Sequence, residues 1–259
     1  MAGEVRYEIR GPAAWVVIDR EEQRNALSPE VVTGLGAAID RVGADDVVRA
    51  AVITGTGDLA FCAGGDLGGM AGGDSRVAQH EARRHLPLLF RAMHECPKPV
   101  VARVNGNALA GGFGLMLACD LVVAVEDAEF ATPEINLGLW PYMISAVIQR
   151  NVPRKVAMEM MLTGRRVTAS EGARWGMVNR AVPRNALDAA VDEVVRELVE
   201  KSPLIVSLGK RSFYRSQDMS FDEALDYLHA MLTVNLESED VAEGVSAFLQ
   251  KRPPEWRGR

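Results

Sequence analysis

The stretch KPVVARVNGNALAGGFGLMLACDLVVAV, Lys98 to Val125, restricts the fold more than any other part of the chain. It reads as an apolar strand from Val100 to Val104, a glycine-rich turn, a helix to Ala118, and a second apolar strand from Leu121 to Val125. Upstream, VRYEIR and AWVVID flank Gly11 and Pro12 as a hairpin. Ser28 and Pro29 open a helix running through Arg41, and RAAVIT is a strand. The glycine-rich GTGDLAFCAGGDLGGMAGGD then leads to a helix from about Val77 to Glu95, which CPKP breaks. Beyond Thr132 the chain turns mostly helical, over Val152–Leu162, Ala186–Lys201 and Val241–Leu249, with capping boxes from Thr168 to Glu171 and Ser220 to Glu223. The body is therefore α/β and the tail α, with no fixed-period repeat or clear linker.

Composition narrows the chemistry. With 259 residues, 48% of them hydrophobic, the chain can bury a full core. Cys62, Cys96 and Cys119 have no CxxC spacing and read as reduced, buried thiols in a cytoplasmic protein. MAGEVRYEIR carries no apolar signal segment, and no stretch approaches the roughly 18 apolar residues of a membrane helix, so no membrane association is expected. A net charge of -6 argues against nucleic acid and leaves small anions or proteins as partners. His80, His85, His94 and His229 form no HExxH or other ligand set, so no metal is expected.

Glycine turns usually suggest phosphate, but neither GxGxxG nor GxxxxGK followed by Ser or Thr occurs. What remains is a pair of similar strings, FCAGGDL and ALAGGFG. Each offers backbone N–H groups without an obstructing side chain, the second at a helix N-terminus. Two such groups converging on one oxygen make an oxyanion hole; either string alone reads more readily as a plain glycine turn, and the ordered pair reverses that.

The ordered blocks RNALS (Arg24–Ser28), VITGTGDLAFCAGGDL (Val52–Leu67), KPVVARVNGNALAGG (Lys98–Gly112), ACDLVVAVEDAEFATPEINLGL (Ala118–Leu139) and EGVSAFLQKRPPEW (Glu243–Trp256) resemble the crotonase, or enoyl-CoA hydratase/isomerase, superfamily across essentially the whole chain. The resemblance implies a crotonase (ClpP-like) spiral of ββα units over residues 1–200. It also implies a C-terminal helical trimerisation region over 201–259, giving a homotrimer or a hexamer of paired trimers. The implied substrate is an acyl-CoA thioester of fatty acid or related metabolism, with no cofactor beyond the coenzyme A it carries. By motif match, the amides of Ala63 and Gly111 would hold the thioester oxygen, with Cys62, Gly64, Gly65, Leu67, Gly112 and Pro133 among the substrate-binding residues. Asp66 would brace the first turn. Arg20 and Arg24, with Lys251 and Arg252 from the tail, would meet the coenzyme A phosphates, each being equally readable as an ordinary solvated charge, and Ala26 would be a further substrate-binding residue.

Two departures from the family pattern carry the functional reading. Hydratases that this chain resembles use two glutamates; here the first position is Gly114 and the second Glu134. One base can move a double bond from the 3 to the 2 position by shuttling a single proton, whereas hydration also requires a held, deprotonated water. A Δ3,Δ2-enoyl-CoA isomerase using Glu134 is therefore expected. The alternatives are a hydratase using Glu134 alone, an acyl-CoA decarboxylase, or an inactive acyl-CoA-binding scaffold. Glu134 could also be merely an acid at a helix N-terminus. The second departure is LWPYMISAVIQR, where the family carries a glycine-rich stretch. Leu137, Leu139, Trp140 and Met143 suggest an apolar pocket that would raise the Glu134 pKa, and Tyr142 would orient a substrate or simply form the pocket wall.

Overall fold

The computed structural model describes residues 4–66 and 75–259. β1 (Val5–Arg10) and β2 (Ala13–Ile18) form the expected hairpin, with Gly11 in the left-handed region at its tip. α1 (Pro29–Ala44) begins where Ser28 accepts a hydrogen bond from the Val31 N–H and Pro29 sits in the first turn. It buries Val31, Leu35, Ile39 and Val42 along one face, each worth about 1.5–3 kcal/mol.

From β3 onward the chain repeats one move. β3 (Ala50–Gly55) joins the larger sheet and β4 (Ala60–Cys62) the smaller, before α2 (Arg76–Arg83) and α3 (His85–Glu95) cross back. The single helix expected over 77–95 is divided at Arg84. Pro87 explains the division, because its ring in a continuous helix would clash with the carbonyl of Arg83, whereas the first turn of a new helix tolerates it. β5 (Val100–Val104) and β6 (Asn107–Leu109) repeat the pair and lead into α4 (Gly111–Ala118). β7 (Leu121–Val125) and β8 (Glu129–Ala131) do so again, before α5 (Tyr142–Asn151) and α6 (Arg154–Thr163). β9 (Val167–Thr168) pairs antiparallel with β8, α7 (Ala169–Arg174) follows it, and β10 (Arg180–Val182) closes the larger sheet before α8 (Leu187–Val199). The result is the spiral of ββα units that the resemblance implies.

The larger sheet runs β1-β2-β3-β5-β7-β10, parallel from β2 onward, and the smaller runs β4-β6-β8-β9. β2 and β3 are buried along their whole length, as befits parallel strands covered on both faces. The short strands β6 and β8 escape a reading based on apolar runs, because each is only three residues long.

Both capping boxes form, at Thr168–Glu171 and Ser220–Glu223. The tail consists of α9 (Pro203–Ser216), α10 (Phe221–Leu236) and α11 (Glu239–Gln250). α9, unassigned from the sequence, starts at a Ser202 cap with Pro203 in its first turn. It is locked to the body by Lys210, whose ammonium meets Asp120 at 2.7 Å and the carbonyls of Met93 and Lys98. On α10, Phe221, Leu225, Leu228 and Leu232 form one exposed apolar stripe. Among the described residues no helix is long and apolar enough to cross a membrane.

Candidate active site

β4, β6 and β8 are parallel neighbours, so their C-terminal ends leave the smaller sheet side by side. Crevices at the carboxyl ends of parallel strands are where α/β proteins hold ligands. Here those ends deliver Gly64–Gly65, Ala110–Gly111 and Thr132–Glu134 to one place.

The first turn lies beside the segment Arg24–Leu27. The Ala63 N–H donates to the Arg24 carbonyl at 3.0 Å, the Leu27 N–H to the Gly64 carbonyl at 2.7 Å, and the Asp66 N–H to the Leu27 carbonyl at 3.1 Å. The Ala63 amide is thus already committed and cannot serve as the oxyanion donor expected of it. The Gly65 amide donates no such bond among the described residues, and a Cβ on Gly111 would lie 3.6 Å from its nitrogen. Among the described residues the unbonded amide of this turn is therefore that of Gly65 and not the expected one of Ala63. Gly64 takes φ +97°, a conformation that side chains resist.

The second turn is shaped by contact. Ala110 is held at φ 49°, an unusual value for a non-glycine residue and worth about 1–3 kcal/mol of strain, where it turns the chain into α4. The Gly111 N–H at the start of that helix has no partner in it. Gly112 lies directly on the Cys62 carbonyl, and a Cβ there would overlap it. Gly114 faces Ile144 and Phe90; a side chain would collide with the Ile144 Cγ2 and lie 2.8 Å from its Cβ. The place of a first glutamate is filled by an isoleucine from α5.

The third element is the short 3-10 turn Pro133–Leu137. It follows Ala131, whose carbonyl accepts from the Ala110 N–H at 2.9 Å, and this bond ties the carboxylate turn to the residue preceding Gly111. Among the described residues one carboxylate oxygen of Glu134, Oε2, is buried without a hydrogen-bond partner, and so is the Thr132 hydroxyl. An unsatisfied buried polar group costs about 1–3 kcal/mol, and a catalytic role is one of the reasons for which a fold retains it. Burial raises the Glu134 pKa above the ordinary carboxylate value, opposed in part by a hydrogen bond to the backbone of its own turn. Thr132 was not anticipated from the sequence, although a hydroxyl inside the apolar FATP string was a readable signal.

Several other expected site residues are placed differently. Arg20 does not face solvent; its guanidinium is held by Glu4, Asp66 and the Ala26 carbonyl. Arg252 is paired with both carboxylate oxygens of Glu243. The Cys62 side chain is fully buried, and desolvation pushes its thiol pKa up to about 12, so it packs beneath the site as a neutral thiol. Gly112 is likewise buried on that residue's carbonyl. Ala26 is nearly covered, with its carbonyl accepting from Arg20 and from the Ser28 N–H. Asp66 pairs with Arg20, consistent with bracing. Pro133 opens the glutamate turn. Arg24 and Lys251 are exposed and hold no ion pair among the described residues. Leu137, Leu139 and Tyr142 stand exposed on the chain, Tyr142 by 79%, while Trp140 packs partly against the core. Leu67 lies outside the described residues.

The parallel ends of β4, β6 and β8 thus bring the amides of Gly65 and Gly111, neither of them bonded among the described residues, to the side of the Glu134 turn. The chain belongs to the enoyl-CoA hydratase/isomerase family, whose model matches residues 8–259. A carnitinyl-CoA dehydratase from Salmonella arizonae is 36% identical, with 100% of both chains covered, and one from Proteus mirabilis is 33% identical over the same shares. The crystal structure of an enoyl-CoA hydratase from Mycobacterium smegmatis matches with a TM-score of 0.93 and 36% identity, covering 98% of each chain.

Proposed function

We propose that this protein isomerises an enoyl-CoA thioester, moving the double bond from the 3 to the 2 position. Glu134 removes the α-proton, the electrons pass into the thioester carbonyl to give a dienolate, and the same carboxyl group returns the proton at the γ-carbon. The oxygen that carries the charge is held by the amides of Gly65 and Gly111, and a donor of this kind typically contributes about 3–4 kcal/mol. Glu134 suits the work because a base with a raised pKa accepts a carbon-bound proton more readily.

The observation that carries this reading is the contact of Ile144 with Gly114. It keeps a side chain out of the position where a first glutamate would stand and leaves Glu134 to act alone, and a single base suffices for a proton shuttle. A second reading, addition or elimination of water at a 2-enoyl-CoA with Glu134 alone, is favoured by the dehydratase relatives. Purified protein offered matched 3-enoyl-CoA and 2-enoyl-CoA thioesters, and carnitinyl-CoA, separates the two. Isomerisation leaves the product mass unchanged and shifts the double bond; hydration or dehydration changes the mass by one water. Isomerisation at the wild-type rate by Glu134→Gln would refute the mechanism.

The exposed stripe on α10 supports self-association, because an uncovered apolar helix face of this kind usually marks an interface. Sedimentation velocity is expected to show a trimer or hexamer.

A further inference from the structure

We propose that Arg20 is a positioning residue that aims the Gly65 amide, and not a ligand for the coenzyme A phosphates; this rests on the oxyanion-hole reading above. Its side chain is only 13% exposed, and each limb of the guanidinium has a partner. Nε meets Glu4 at 2.9 Å, one terminal nitrogen donates to the Ala26 carbonyl at 2.9 Å, and the other meets Asp66 at 3.2 Å. Ala26 lies on one side of the short ladder that holds the first turn, next to Leu27, which bonds to Gly64 and Asp66. Asp66 lies on the other side, immediately after Gly65. The guanidinium therefore spans the ladder at the level of the free amide.

The turn needs such an external tie. Gly64 and Gly65 have no side chains with which to pack, and Gly64 occupies a conformation only glycine adopts easily. The inner side of the neighbouring segment is already fixed by Asn25, whose amide donates to the carbonyls of Thr56 and Ala60. Glu4 extends the tie to α1, because its other oxygen accepts from Ser28, the cap of that helix. A planar fork can serve three acceptors at fixed angles, and an ammonium cannot reproduce that geometry. Charge points the same way: Glu4 and Asp66 both pair with Arg20, so its positive charge is already countered within the chain.

The test compares Arg20→Gln, Arg20→Lys and Asp66→Asn on a coenzyme A thioester and on the N-acetylcysteamine thioester of the same acyl group, which has no phosphate. Because misplacing a catalytic group by about 1 Å can cost about 100-fold, kcat is expected to fall about 10- to 100-fold with both substrates. KM for the coenzyme A thioester is expected to change less than about threefold. Arg20→Lys should recover part of the loss, and Arg20→Gln with Asp66→Asn should lose less than the product of the single effects. The 13C shift of a bound thioester carbonyl, which reports polarisation by the hole, should move toward its value in solution. A rise in KM confined to the coenzyme A thioester would make Arg20 a phosphate ligand and overturn the proposal. So would a carbonyl shift unchanged from wild type. Should Arg20→Gln fail to fold, Asp66→Asn carries the same comparison alone. If Glu134→Gln is inactive while the Arg20 and Asp66 variants behave as wild type, only the positioning role fails; if Glu134→Gln retains full activity, the parent reading fails.

Discussion

The turn at Gly64–Gly65 is held by hydrogen bonds from a neighbouring segment, whereas the turn at Ala110–Gly111, beyond the one bond from the Ala110 N–H to the Ala131 carbonyl, is held mainly by close contact. Around the first, the backbone of Arg24 and Leu27 and the fork of Arg20 supply the constraint. Around the second, Gly112 rests on the Cys62 carbonyl and Gly114 on Ile144, with a strained Ala110 between the strand and the helix. Two amides with equivalent proposed roles thus depend on different forces. Polar bonds tolerate changes of size and fail with changes of charge; a packed contact does the reverse.

The largest expected effect tests whether the two turns serve one base. Glu134→Gln should lower the isomerisation rate about 10²- to 10⁴-fold with the fold intact, measured by steady-state kinetics and circular dichroism. A loss below tenfold would mean that the turns frame some other chemistry. Next comes Gly112→Ala, whose Cβ would meet backbone that cannot yield; a loss of about 3 kcal/mol or more, or insoluble protein, is expected in denaturant melts. Gly114→Ala should cost about 1–3 kcal/mol, part of it restored by Ile144→Ala, because here the obstacle is a side chain. Failure of that rescue would show that the second turn is fixed by something other than Ile144.

The smallest effect concerns pH. Burial raises the Glu134 pKa, so the base is lost to protonation at a higher pH than an ordinary glutamate, and the acid limb of kcat/KM should shift upward accordingly. The sign for stability is opposite. Between the unfolded and the raised folded pKa the native state binds the proton more tightly, so this contribution is fully present below the unfolded value and lost as pH rises through the folded one. Glu134→Gln should therefore melt at the wild-type temperature or slightly above it at neutral pH. A clearly lower melting temperature would mean that the carboxylate stabilises the fold.

Much of the architecture was legible because it depends on neighbours in the chain. The apolar runs at Val100–Val104 and Leu121–Val125, the Ser28–Pro29 start and both capping boxes appear where local pattern places them. β6 and β8 were not legible, since strands of three residues are defined by the partners they find. The division of the helix at Arg84 could have been read from Pro87.

The sequence by itself determined which glycine turns and which glutamate were the candidates for a site, because residue type and spacing are local properties. Tertiary structure alone decided which amide stayed free, because that depends on whether a distant carbonyl, here that of Arg24, takes the N–H. It also decided that Arg20 would bind carboxylates of its own chain and that Ile144 would lie against Gly114. Hydrogen-bond and packing partners are assigned by what the fold brings together, and no local pattern encodes them.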